Sequence, residues 1–401
     1  MKDLHIADLF CGAGGTSTGA VEAVEYLGYS PKLTACNHWP VAVATHTANH
    51  PSARHYCASL DTLNPRELFE PDQLDLLWGS PECTNHSRAR RGKHINEQSR
   101  ATAWCVTRWA DALRPNTVLI ENVPEFKNWP SFHAWIACLE SFGYRTDSRV
   151  LVAADYGDPT TRRRLFVQAV RGKRRIVWPD ATHARSPDPF GSKLPWVPAA
   201  DIIDWSIPAQ AISLRKKPLA PKTMKRIREG LEKHGGAMIV AMEHGGRALS
   251  IDQPLPTVTC AKGGAFGLAY LLPQHGGGAL RPITDPAPTV ATAGAIALIM
   301  EYYGTGGTRP VTEPLPTVTC RDRFALIQAS GGEVLFRMLK PKELAGAQGF
   351  RSDYQFTGTV QEQVKQIGNA VPRNLARAIV LAALSQQSDI TPYLPKEAAV
   401  A

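Results

Sequence analysis

The sequence predicts an α/β protein with a mostly parallel sheet, a small β-rich domain and a final return to α/β structure. Over residues 3–170, apolar strand-like runs alternate with stretches of helical periodicity, the pattern of a parallel sheet covered by helices on both faces. From about residue 175, proline and glycine become frequent and a short motif repeats. Such a region is typical of short strands joined by long loops.

The elements are placed by their apolar patterns. Strands are expected at 4–10, 32–37, 54–57, 73–78, 117–121, 148–153 and 164–170. Helices are expected at 15–28, 40–49, 97–114 and 129–142, and again at 341–347, 360–368 and 371–386.

The middle region contains an internal repeat. The core Pro-x-Pro-Thr-Val occurs at 254–258, 286–290 and 314–318, each time between a glycine-rich turn and an apolar run, near 266–272, 295–300 and 324–328. We therefore expect domain boundaries near 1–174, 175–336 and 337–388, with a disordered tail at 389–401.

Composition narrows the class of protein. A net charge of +9 and a pI near 9.2 favour a polyanionic partner. No apolar run approaches the roughly 20 residues that cross a membrane, and the first strand leaves no room for a signal peptide. The eight cysteines form no Cys-x-x-Cys pair, so free thiols in a cytosolic enzyme are expected. Four histidines (His38, His46, His50 and His55) lie close in sequence, but no cysteine or carboxylate joins them at metal-ligand spacing, and no metal is expected.

Basic residues concentrate in three short stretches. They are Arg88, Arg90, Arg91 and Lys93; Arg162, Arg163 and Arg164; and Lys216, Lys217, Lys222, Lys225, Arg226 and Arg228. The last group is either a solvated face or a phosphate-binding surface, and we favour phosphate contact.

Two reactive side chains stand at the ends of predicted strands. Cys83 follows the run 74–78, and Glu121 follows 117–120. The carboxyl ends of parallel strands are where open α/β sheets bind ligands. A cysteine taken alone is more often structural, but a thiol paired with a carboxylic acid suggests covalent catalysis.

A glycine-rich turn follows the first strand, in Asp8-Leu9-Phe10-Cys11-Gly12-Ala13-Gly14-Gly15-Thr16. Such turns let a ligand approach the backbone and a helix N-terminus. The turn lacks the third glycine spacing of a dinucleotide fingerprint, which argues against NAD or FAD.

Taken together, six ordered motifs resemble those of the DNA (cytosine-5) methyltransferase family. They are the glycine turn, the strand-tip Cys83, Glu121-Asn122-Val123, Arg162-x-Arg164, Gln348-Gly349-Phe350 and Gln366-Ile367-Gly368-Asn369-Ala370-Val371-Pro372. The resemblance implies a Rossmann-like S-adenosylmethionine-dependent domain with a mixed, mostly parallel sheet. It also implies an inserted target-recognition domain.

The resemblance implies a role for each matching residue. Cys83 would attack carbon 6 of a flipped cytosine, Glu121 would bind ring nitrogen 3 and the exocyclic amine, and Arg162 and Arg164 would order the base. The expected cofactor-binding residues are Phe10, Gly12, Ala13, Gly15, Asn37, His38, Asp61, Thr62, Asn369, Ala370 and Val371. S-adenosylmethionine would be the methyl donor and S-adenosylhomocysteine the product. From the sequence alone, Asp61 can also be a helix N-cap.

Several positions depart from the family pattern. Glu82 and Thr84 flank the nucleophile where proline and glutamine are usual, and a carboxylate beside a thiol disfavours the thiolate. Thr160 replaces a glutamine of the arginine motif. Asn37 stands where an acidic residue usually binds the ribose hydroxyls, so a charge-assisted bond is lost.

The leading hypothesis is a monomeric enzyme that methylates carbon 5 of cytosine in double-stranded DNA, without a membrane partner. It would act in the cytoplasm of a bacterial cell, encoded by host or phage, with a cognate restriction endonuclease for the same site. The alternatives are a tRNA cytosine methyltransferase, an enzyme that transfers a modified alkyl group or acts on a modified pyrimidine, and a catalytically silent DNA-binding regulator.

Overall fold

We describe a computed structural model of the 401-residue chain. The described residues are 1–81, 97–187, 191–216, 218–221, 223–225, 227, 265–271, 296–301, 308–310, 313–315, 323–330 and 333–390. The chain divides into two compact units. The first comprises 1–158, 162–195 and 348–401, and the second comprises 159–161 and 196–347.

The first unit is built on a seven-stranded sheet with the order β3-β2-β1-β4-β5-β7-β6. Its strands are β1 (Asp3–Leu9), β2 (Ser30–Asn37), β3 (Arg54–Cys57), β4 (Leu76–Gly79), β5 (Thr117–Asn122), β6 (Tyr144–Val152) and β7 (Arg163–Arg171). Strands β1 to β5 are parallel, whereas β7 lies antiparallel between β5 and β6. The predicted α/β class with a mixed, mostly parallel sheet is confirmed.

Helices α1 to α5 connect these strands, and two more follow the second unit. They are α1 (Gly15–Tyr26), α2 (Pro40–Asn49), α3 (Pro65–Leu68), α4 (Glu97–Leu113) and α5 (Phe132–Ser141), then α7 (Val360–Asn369) and α8 (Arg373–Ser385) after α6 (Pro341–Ala347). All residues of β4 and β5 are buried, as expected of strands covered on both faces. Within the described ranges, no helix is both long and apolar enough to span a membrane.

The order of the strands fixes where a ligand binds. From β1 the chain builds outward through β2 and β3 on one side, and through β4 and β5 on the other. Leu9 pairs with both Cys36 and Gly79, so the ends of β1, β2 and β4 are level. The reversal between β1 and β4 is a topological switch point, and open α/β sheets bind ligands at its carboxyl edge.

The second unit contains a six-stranded sheet with the order β10-β15-β11-β14-β12-β13. Its strands are β10 (Gln210–Ala211), β11 (Ala265–Leu271), β12 (Ile296–Glu301), β13 (Thr308–Pro310), β14 (Arg323–Ser330) and β15 (Glu333–Met338); the short pair β8 (His183–Ala184) and β9 (Leu194–Pro195) precedes them in the chain. Strands β11, β12 and β14 coincide with the three predicted apolar runs. Apart from Pro314 and Leu315, the repeat cores lie outside the described residues, as does the predicted tail from 391 onward. The domain boundaries and the recognition role stay predictions.

Candidate active site

The glycine-rich turn between β1 and α1 has a strained backbone. Phe10 (φ 66°), Gly12 (φ 53°) and Gly14 (φ 96°) all lie in the left-handed region. A bulky residue such as Phe10 rarely adopts this conformation, and such strain persists only where the surroundings enforce it. Two backbone bonds do so here, from Cys11 N to Cys36 O (3.1 Å) and from Gly14 N to Cys11 O (3.0 Å).

The segment that follows α7 packs directly on this turn. A Cβ added to Gly15 would lie 2.3 Å from the Val371 carbonyl oxygen and 3.4 Å from the Ala370 Cβ. The last turn of α7, which leads into this segment, is held by two buried side chains. Arg162 Nη1 donates to Gly368 O (2.9 Å), and Gln348 Nε2 donates to Ile367 O (3.0 Å). The structure thus brings Gly15, Ala370 and Val371 together, next to the exposed Asn369 at the end of α7.

Further predicted cofactor residues lie at the ends of β2 and β3. Asn37 ends β2, and its Oδ1 accepts a hydrogen bond from Trp39 N (2.9 Å). His38 is exposed.

The Asp61 carboxylate is exposed and held in a local turn. It accepts a hydrogen bond from the Ser59 hydroxyl, which lowers the pKa of Asp61. Thr62 Oγ1 donates to Ser59 O (2.8 Å) in the same turn. The cap of α3 is Asn64, which accepts from Arg66 N, so the helix-cap interpretation of Asp61 is wrong.

Glu121 and Arg164 form a buried ion pair. Arg164 Nε lies 2.9 Å from Glu121 Oε1, and the two side chains are 8% and 10% exposed. The pair joins β5 to β7, where Glu121 lies opposite Phe166. Arg162 is also buried, whereas the intervening Arg163 is exposed. The two arginines predicted for the site thus differ in burial from the arginine between them.

A neighbouring asparagine ties the end of β5 to the segment that follows β4. Asn122 Nδ2 donates to Pro81 O (3.1 Å), and its Oδ1 accepts from Val123 N (2.8 Å). Cys83 itself lies outside the described residues. In the sequence it follows Pro81 by two residues. The sequence did not predict the hydrogen bond from Asn122 to Pro81. The only feature of the sequence that pointed to Asn122 was its position next to Glu121.

Comparison with known proteins identifies the family. The family model described as C-5 cytosine-specific DNA methylase matches residues 4–384. This chain belongs to the C-5 cytosine-specific DNA methylase family.

Similar members of the family are known from bacteria. The Type II methyltransferase M.AgeI of Thalassovita gelatinovora is 32% identical over 44% of this chain and 42% of its own length. The Type II methyltransferase M.SacI of Streptomyces achromogenes is 30% identical over 45% of this chain and 52% of its own. The matched region thus spans about half the length of these curated relatives.

The fold also matches solved structures. A putative DNA modification methyltransferase from an E. coli prophage superposes with a TM-score of 0.55, at 18% identity, covering 95% of this chain and 99% of its own. At that identity the likeness concerns the fold alone.

Beneath the glycine turn, this methylase family member buries a polar chain that sequence reasoning missed. Ser17 Oγ donates to Asp8 Oδ2 (2.6 Å), and His46 Nε2 lies 2.9 Å from Ser17 Oγ. His46 Nδ1 in turn lies 2.8 Å from His55 Nε2. Across the described ranges, no group of three His, Cys, Asp or Glu residues could hold a metal ion.

Burial shifts the pKa values of these hydrogen-bonded side chains in opposite directions for the acid and the histidines. It raises the pKa of Asp8 to about 7, against the opposing hydrogen bonds from Ser17. Burial lowers the pKa of His50 to about 4, with help from neighbouring His55, and it also holds the pKa of His46 well below its usual range. Between pH 4 and 6.5, acid therefore favours the native state through Asp8 and disfavours it through the histidines.

Replacing Asp8 with asparagine should remove the stabilisation by acid that offsets the destabilisation through the histidines. The other titratable groups next to Asp8 and the histidines are Cys11, Cys36, His55 and Tyr354. In Asp8→Asn, the free energy of unfolding should fall with acid more steeply than in the wild type, by about 1.4 kcal/mol per pH unit between pH 4 and 6.5. Urea unfolding across that range measures the slope. Parallel curves for the two proteins would contradict the assignment.

Proposed function

We propose that this chain transfers a methyl group from S-adenosylmethionine to carbon 5 of cytosine in double-stranded DNA. The observation that carries the proposal is the buried Glu121–Arg164 pair at the end of β5, tied through Asn122 to Pro81, two residues before Cys83. The reaction needs a nucleophile and a carboxylic acid that act on the same cytosine, and Cys83 and Glu121 follow or end neighbouring strands in the sequence.

The proposed mechanism begins with the thiolate. Carbon 5 of cytosine is a weak nucleophile, so Cys83 first adds to carbon 6 and makes an enamine, whose carbon 5 takes the methyl group. Loss of the carbon 5 proton to a base then breaks the bond between Cys83 and carbon 6 and releases the thiolate. Glu121 binds ring nitrogen 3 and the exocyclic amine and stabilises the charge that develops during attack. Arg164 fixes the Glu121 side chain through Oε1, and Arg162 anchors the end of α7. Because these groups cannot reach a stacked base, the cytosine must flip out of the duplex.

The residues around the glycine turn fit S-adenosylmethionine, which when bound supplies an electrophilic methyl group on a sulfonium. Gly15 admits no side chain because of Val371, so the turn and the 369–371 segment form one close-packed wall. Phe10, Gly12, Ala13, Asn37, His38, Asp61 and Thr62 complete the proposed pocket from the ends of β1, β2 and β3. Asn37 has its oxygen engaged by Trp39 N, so its Nδ2 is the group it offers to a ribose hydroxyl.

Methyl-transfer assays test the proposal and its alternatives. With S-adenosylmethionine tritiated in the methyl group, we expect label in double-stranded DNA, recovered as 5-methylcytosine after digestion. Label in tRNA alone would favour the RNA alternative. Transfer only to a modified pyrimidine, or only from an altered donor, would favour the alternative that Glu82 motivates. No transfer to any of these would favour a silent DNA-binding protein.

We also propose that the second unit recognises the target sequence, since its sheet is interrupted by long glycine- and proline-rich segments and the chain carries a net charge of +9. Exchanging residues 180–330 for those of a relative should change the methylated sequence while cofactor affinity stays within about twofold. An unchanged site preference would place recognition in the first unit instead. The Type II names of the bacterial relatives favour a cognate restriction endonuclease acting on the same site.

A further inference from the structure

His50, near the end of α2, approaches the glycine turn through a threonine. Its Nε2 lies 3.0 Å from Thr18 Oγ1, and Thr18 Oγ1 donates to Gly14 O at 2.7 Å. The rings of His46 and His50 also pack against Gly14 itself. A Cβ built there would lie 3.1 Å from His46 Cδ2 and 3.3 Å from His50 Nε2. The two rings therefore pack under Gly14, the glycine of the turn with the largest positive φ (96°).

The hydrogen-bond pattern fixes the protonated nitrogen of His50. Thr18 has one hydroxyl proton, and it is given to the Gly14 carbonyl, which has no proton of its own to donate. Gly14 O accepts both from this hydroxyl and from Thr18 N (2.8 Å), and in this arrangement the Thr18 oxygen accepts from His50, with the ring hydrogen on Nε2. Burial lowers the pKa of His50 to about 4, which keeps the ring neutral at pH 7.

We infer that His50 is a positioning residue of the cofactor site, which orients the Thr18 hydroxyl so that Gly14 O is held and the strained turn keeps its shape. The inference rests on the proposed function, because it assigns the turn to S-adenosylmethionine. The backbone around Gly14 is left-handed, and a strained segment holds its conformation only when its neighbours over-determine it. The hydroxyl of Tyr354 supplies a separate brace by donating to Ala13 O, one residue earlier.

A pair of substitutions separates the hydrogen bond from the packing. His50→Gln keeps an N–H at the position of Nε2, whereas His50→Phe keeps a ring and removes the donor. The exposed His133 on α5 gives a control, His133→Phe. Affinity for S-adenosylmethionine is measured by calorimetry at pH 7, and thermal unfolding is followed without cofactor.

We expect His50→Phe to bind S-adenosylmethionine about 3- to 10-fold more weakly than the wild type, on the scale of one lost hydrogen bond. His50→Gln and His133→Phe should stay within about twofold. Equal affinity of His50→Phe and His50→Gln would overturn the inference, whatever their unfolding temperatures.

A spectroscopic measurement decides the inference even if His50→Phe does not fold. In wild-type protein with ¹⁵N-labelled histidine, the ring signals that disappear in His50→Gln should report a neutral ring with its proton on Nε2. A proton on Nδ1, or a charged ring at pH 7, would overturn the role assigned to His50. A wild type that keeps this ring signature but binds no S-adenosylmethionine would instead refute the proposed function.

Discussion

Cys83→Ser is expected to lower methyl transfer by about 10⁴-fold or more while specific DNA binding persists. A serine hydroxyl is a far weaker nucleophile than a thiolate at neutral pH, and removing a nucleophile that acts within a unit has effects on this scale. The measurement is tritium transfer under saturating DNA and cofactor, alongside a DNA-binding titration. Cys138→Ser, on the half-buried face of α5, is the matched control and should keep wild-type turnover.

A mechanism-based substrate makes this prediction sharper. With 5-fluorocytosine at the target position, the covalent intermediate cannot lose its substituent, so the wild type and Cys138→Ser should form adducts that survive denaturation. Cys83→Ser should form none. An adduct in Cys83→Ser would show that another side chain attacks carbon 6.

Much of the first unit could be predicted because its central strands are continuous apolar runs. β4 and β5 are buried throughout, and such segments leave little ambiguity when helical patterns separate them. The direction of β6 and β7 does not follow from apolarity. It does follow from the connection, since residues 153–162 are too few for the crossover that a parallel pair requires. The antiparallel pair is therefore a consequence of loop length.

The residues of the candidate site also fall into two groups, those predicted from the sequence and those that were missed. Cys83 and Glu121 were predicted as site residues because each comes at the end of an apolar run, at the sheet edge where ligands bind, and these two assignments stay predictions. The contact of Gly15 with Val371 was reached only through the family resemblance, because no local pattern links residues so distant in sequence. The bonds from Asn122 to Pro81 and from His50 to Thr18 were missed, since they depend on how neighbouring elements pack. Periodicity reports which face of a helix is buried but not which polar atom it meets.

Glu121→Gln is expected to reduce turnover by about 100-fold or more. Glutamine keeps the shape of the side chain, but it has no carboxyl proton to give to ring nitrogen 3 as negative charge develops there during attack, and losses of this size follow removal of a positioned acid or electrostatic stabiliser. Because the substitution also leaves Arg164 without its carboxylate partner, it should cost about 3 kcal/mol of stability, the scale for breaking a buried ion pair. Single-turnover rates measured well below the unfolding temperature separate the two effects.

A second buried ion pair provides the control for that stability loss. Arg337 Nη2 lies 2.8 Å from Glu343 Oε1, with side chains 7% and 3% exposed, so Glu343→Gln breaks a comparable pair outside the proposed catalytic site. Both variants should unfold at lower denaturant concentration than the wild type, but only Glu121→Gln should lose turnover per folded molecule. If the two variants lost turnover equally, the effect of Glu121 would be one of stability. Near-normal turnover in Glu121→Gln would mean that another group activates the base, because glutamine cannot protonate ring nitrogen 3 during attack.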